Sequence, residues 1–148
     1  MSFRGYRRPD GSVGVRNYIG VISTVSCAND VTWWIAQRVK GCAPFIHGQG
    51  CTQTQPDLEQ VNRTLISLGW NPNLAGVLVI SLGCESLSAD RIVQGIAQSG
   101  KAVAKVVIQK IGGSMLLSSR APSWPGKCWL TPRNRSESNS TTRSWSWE

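Results

Sequence analysis

"LAGVLVISLG", residues 74–83, is the most continuous apolar run in the chain. Its eight-residue core, "AGVLVISL", is far too short for the 18 or more apolar residues of a membrane span. Rich in Val, Leu and Ile and closed by glycine, it reads as a strand buried on both faces. That is the signature of a parallel sheet flanked by helices.

Working outward, the same alternation recurs. "YIGVIST" (18–24) is a buried strand, "APFIHG" (43–48) a second and "AVAKVVIQ" (102–109) the strand after 74–83. Helical segments lie between them. "ANDVTWWIAQRVKG" begins at an Asn29 or Asp30 cap and runs to about Lys40, with Gly41 beyond it. Its inward face is Val31, Trp34, Ile35 and the stem of Arg38. The next helix spans about 56–68, opens at Pro56 and closes at Gly69, with Leu58, Val61, Leu65 and Leu68 inward. The third starts near Ser88 and turns Ile92, Val93, Ile96 and Ala97 inward. The expected fold is α/β: a Rossmann-like parallel sheet of about four strands with helices on both faces. Residues 1–17 read as an irregular lead-in with a turn at "PDG".

After "GGS" the character changes. Residues 114–148 hold nine serines and four of the seven tryptophans, with neither helical nor strand periodicity. The expected organisation is an α/β domain over 1–113 and an irregular tail over 114–148. Translation in a shifted frame would produce such a tail.

The net charge of +8 is spread out, eleven Lys/Arg against six Asp/Glu in residues 1–113 and five against two in the tail. No basic stripe interleaves with aromatics, so neither nucleic acid nor a membrane is an expected partner. The polar, basic N-terminus carries no secretory signal, and a cytoplasmic location is the default. Five unevenly spaced cysteines argue against a disulfide framework.

In a parallel α/β sheet, ligands bind beyond the carboxyl ends of the strands. Thr24, Cys27 and Asn29 follow the first strand. His47, Gln49, Cys51 and Gln53 follow the second, and Cys84 and Glu85 the third. Each of these three ends carries a cysteine, in "TVSCAN", "GQGCTQ" and "LGCES". The loops open helices, whose N-termini favour anions and thiolates. Cys42 and Cys128 lack this setting. His47 is a candidate base or ligand, and Glu85 a candidate base, ligand or helix cap. Thr24, Asn29 and Gln53 are candidate substrate-binding residues. Arg16 is a carboxylate clamp or a surface ion pair.

The segments "GYRRPDGSVGVRNYIGVISTVSCAND", "HGQGCTQ", "TLISLGWNPNLAGVLVISLGCE" and "GKAVAKVVIQKIGG" resemble the large-domain region of sugar-acid dehydratases. That group includes altronate and galactarate dehydratases and the large subunit of sulfolactate sulfo-lyase. The resemblance spans roughly residues 3–113. It implies a hydro-lyase that removes water from a 2,3-dihydroxy acid to give a 2-keto-3-deoxy acid, with His47 and Glu85 as catalytic residues. It also implies iron or another divalent metal. The shared strand-end placement of Cys27, Cys51 and Cys84 suggests that they hold an iron cluster, the alternative being a single divalent ion bound by His47, Glu85 and partner-domain groups. A small partner domain or subunit is implied, and a homo-oligomer is compatible with it. Family members continue for a few hundred residues past "IQKIGG", so the chain reads as a truncated member. The rival reading is a catalytically inactive α/β binding or assembly module. A thiol-redox protein is disfavoured by the lack of a CxxC motif.

Overall fold

The computed structural model describes residues 5–114. Its elements are β1 (Tyr6–Arg7), β2 (Val13–Gly14), β3 (Tyr18–Ser23), α1 (Asn29–Arg38), β4 (Cys42–Phe45), α2 (Gln55–Trp70), β5 (Leu74–Ser81), α3 (Ala89–Ala97) and β6 (Ala102–Val107). Short 3₁₀ turns occupy Ser26–Ala28 and Gln109–Ile111. The predicted tail beyond Ser114 lies outside the described residues.

β3 to β6 form one parallel sheet in the order β4-β3-β5-β6. The chain therefore starts near the middle, steps to β4, then crosses back to β5. The direction of winding reverses between β3 and β5. α1 packs on one face, where Val31, Ile35 and Ala36 meet Val21, Leu78 and Ile80. α2 and α3 cover the other, where Leu58, Leu65, Ile92 and Ile96 meet Ile22, Val77 and Val79. The predicted α/β architecture with helices on both faces is what the chain adopts.

Several details differ from the sequence expectation. The lead-in is ordered as an antiparallel hairpin, with Tyr6 opposite Gly14 and Arg7 opposite Val13. Arg8 holds it down and is itself buried. Its guanidinium donates to the Pro72 carbonyl (2.6 Å), Asn17 Oδ1 (2.8 Å) and the Arg16 carbonyl (2.8 Å). Helix α1 buries Val31, Thr32, Ile35 and Ala36, and turns Trp34 and Arg38 outward. Thr32 fits inside because its hydroxyl donates to the Ala28 carbonyl at 2.9 Å. Trp34 is 47% exposed, with the Arg38 guanidinium 4.9 Å above its ring.

Gly69 does not end α2, which runs on to Trp70. A Cβ there would meet Ile96 Cγ1 at 2.5 Å, so this glycine lets α2 and α3 pack closely. Ala97 faces solvent, and Ser99 is buried in its place. Gly41 sits two residues past the Val39 cap of α1, in the turn into β4. α2 starts one residue before the predicted Pro56, with Thr54 at its N-cap position donating to Asp57 Oδ2 at 2.6 Å. Ser88 caps α3, accepting from the Arg91 amide at 3.3 Å.

Candidate functional site at the carboxyl edge of the sheet

The loops after β3, β4 and β5 meet at one edge because the strands that carry them are neighbours. What ties them together is the backbone of Gln49 and Gly50. Ser26 N–H donates to the Gln49 carbonyl (3.1 Å), and Ser86 N–H donates to the Gly50 carbonyl (3.1 Å). Gly50 has φ of 113° and lies so close to the β3 loop that a Cβ would sit 2.7 Å from Val25 Cα. Only glycine fits both demands. Two residues on, Thr52 takes φ of 53°, a costly value for a β-branched residue.

Glu85 lies where the winding reverses. Its Oε1 accepts from Thr24 Oγ1 (2.7 Å) and Ser81 Oγ (2.5 Å), and its Oε2 from the Gly83 amide (2.6 Å). Burial pushes its carboxyl pKa up. The hydrogen bonds from Ser81, Gly83 and Thr24 together outweigh that and hold it below its ordinary value. This carboxylate is ionised and saturated with donors, and it joins the ends of β3 and β5. Thr24 is fully buried, so its hydroxyl serves Glu85 rather than a ligand.

His47 and Asn29 form a second linkage. Asn29 Nδ2 donates to the His47 carbonyl (2.8 Å), while its Oδ1 accepts from Ser23 Oγ (2.6 Å) and the His47 amide (3.3 Å). Asn29 therefore ties α1 to the β4 loop and does not cap its helix. The His47 ring lies between two backbone groups, with Nε2 2.9 Å from the Ser23 carbonyl and Nδ1 accepting from the Gln49 amide at 3.1 Å. These partners assign the neutral tautomer with the proton on Nε2. Gln53 accepts from the Gly50 amide at 2.9 Å through Oε1.

Cys27 and Cys84 are exposed and Cys51 is half-buried against the α1-side core. Gln109, from the turn after β6, donates to Cys84 Sγ at 3.3 Å. It brings a fourth strand end to this edge, which the sequence reading missed. Its only sequence signal was its place at the close of the last strand. Among the described residues, no group of three or more His, Cys, Asp or Glu side chains could hold a metal ion. The described residues do not by themselves form a seat for the iron that the resemblance implies. Cys42 lies apart, and burial pushes its thiol up to about 11. Arg16 lies at the opposite, amino edge, where its amide donates to Asn73 Oδ1 (3.1 Å) just before β5. The length of β3, roughly 20 Å, separates it from the loop cluster.

A family model described as D-galactarate dehydratase/altronate hydrolase, second domain, matches residues 5–121. The chain belongs to this family. It is 38% identical over 111 residues to the (2R)-sulfolactate sulfo-lyase subunit beta of Chromohalobacter salexigens, covering 75% of this chain and 28% of that protein. It is 34% identical over 105 residues to altronate dehydratase of Bacillus subtilis, covering 64% and 21%. With galactarate dehydratase (L-threo-forming) of Escherichia coli it shares 33% over 108 residues, covering 64% and 21%. The chain thus spans about a quarter of the length of these family members. No solved structure matches it. Among the described residues, no helix is long and apolar enough to cross a membrane.

Proposed function

We propose that this second domain supplies one wall of a sugar-acid dehydratase site, a carbon–oxygen lyase acting on a 2,3-dihydroxy acid such as altronate or galactarate. The supporting observation is the single joined unit that the β3, β4 and β5 loops make around Gly50, at the point where the sheet reverses its winding. Such a crevice is where open α/β sheets bind ligands. Dehydration removes the weakly acidic C2 proton and expels the C3 hydroxide, so it needs a proton acceptor and a sink for enediolate charge. His47 is the proton acceptor in this proposal, through Nδ1 once substrate displaces the Gln49 amide. Glu85 keeps its charge and positions the loops. Gln53 contacts substrate through its amide nitrogen. Iron bound at this edge would need ligands beyond those that the described residues bring together. The partner is a further subunit, by analogy with the sulfo-lyase relative that is named as a subunit.

A second reading has a specific observation behind it: His47, Glu85, Thr24 and Asn29 all spend their polar atoms on internal bonds. That favours an inactive binding or assembly module when the chain stands alone. Incubating the purified chain with altronate or galactarate and assaying the 2-keto acid separates the two readings. Turnover abolished by His47→Gln supports the first. Binding of the acid without turnover supports the second.

A further inference from the structure

Between β4 and the flank of α2 lies an open groove of about 570 Å³, within the range of small-molecule pockets. It is continuous with the loop cluster, because His47, Gln49 and Gln53 line both. Phe45 and Leu65 belong to its apolar floor, and Gln60, Thr64 and Asp57 stand along the helix side. Pro44 denies the β4 edge a backbone donor at its centre, so an added strand is a poor occupant.

The lining has a definite chemistry. The side-chain amides of Gln49 and Gln60 have no protein partner among the described residues, and each offers donors and an acceptor. Thr64 donates to the Gln60 carbonyl at 2.9 Å and keeps oxygen lone pairs to accept with. No Lys or Arg is among the lining residues, and Asp57 adds a negative charge. Amides, a hydroxyl and a carboxylate suit groups that both donate and accept without charge, which are alcohol hydroxyls. The same set repels a carboxylate.

The geometry points to this groove as a subsite for the neutral, hydroxylated end of an aldonate such as altronate, with the acid end directed to the loops after β3 and β5. This rests on the sugar-acid reading above and adds to it the direction in which the substrate lies. It implies selection for chain length and hydroxyl count at the end remote from the chemistry.

The test is backbone-amide NMR mapping on the full ¹⁵N-labelled chain, titrated separately with the uncharged polyol galactitol and with altronate. Galactitol is expected to shift amides around Gln60, Thr64 and Gln49. The Gln60→Leu/Thr64→Val double variant is expected to weaken that binding about tenfold, the equivalent of ~1.4 kcal/mol. Both positions are exposed on α2, and an unchanged spectrum elsewhere verifies the fold. Altronate shifts at Cys51–Gln53 and Cys84 with no galactitol effect in the groove overturn the subsite and leave the sugar-acid reading standing. A titration in which neither compound shifts any amide overturns both.

Discussion

Glu85 shows how much of a residue's surroundings lies beyond its neighbours in sequence. An acid beside a strand-end cysteine suggests a base, yet three donors converge on this one and keep it ionised. Its folded-state pKa lies below the unfolded value near 4.5, so the stabilisation is complete above that pH and is lost as pH falls through the folded value. Glu85→Gln should cost roughly 1–2 kcal/mol at neutral pH, the half-exposed group being partly screened. The gap from wild type should close in acid, as read by denaturant unfolding at pH 7 and pH 3. A constant gap at both would show that the charge is not what matters. Cys42 gives a second check. With its thiol near 11, it should alkylate last of the four described cysteines at pH 8 and gain about tenfold in rate per pH unit above that. Peptide mapping that finds Cys42 modified as fast as Cys84 would contradict the burial described here. The Glu85 network was not legible in the sequence, because it depends on Thr24, 61 residues away.

At the scale of elements the sequence was far more legible. The Val/Leu/Ile runs, Pro56 and the cap Ser88 located the sheet strands and two helix starts, because they report local propensity and burial. The errors came where tertiary contact decides. Gly69 reads as a helix stop but serves as the contact point of α2 with Ile96. Trp34 fits the inward spacing, yet small Ala36 and the self-satisfied Thr32 face the sheet instead. The hairpin at 6–14 has too few residues to show a pattern, and the Arg8 bonds to the Pro72 turn hold it in place. Gly50 tests the joining of the loops. Gly50→Ala should expel the β4 loop from its seat against Val25 and break the bonds from Ser26 and Ser86. Hydrogen exchange at those two amides should rise by at least tenfold while the α2 and α3 core amides keep their protection. Unchanged exchange at both would mean that the three loops are independent.

For the whole molecule, the three strand-end cysteines predicted one shared edge, and the strand order β4-β3-β5-β6 delivers it. Sequence order alone cannot reveal that β3 is central, so Arg16 was grouped with a site that lies across the length of the sheet from it. The sheet's two outer strands carry different protection. β6 has Lys105, paired with Asp90, and β4 has Pro44. Pro44→Val restores an outward amide on β4 and should raise aggregation on warming, followed by light scattering. Equal scattering from both proteins would show that the proline has no guarding role. The same asymmetry bears on how a larger enzyme grows from such a piece. Among the described residues, β4 lacks an amide proton at Pro44, whereas β6 carries one at every position. A further strand therefore meets the fuller set of backbone donors on the side that begins at Ala102.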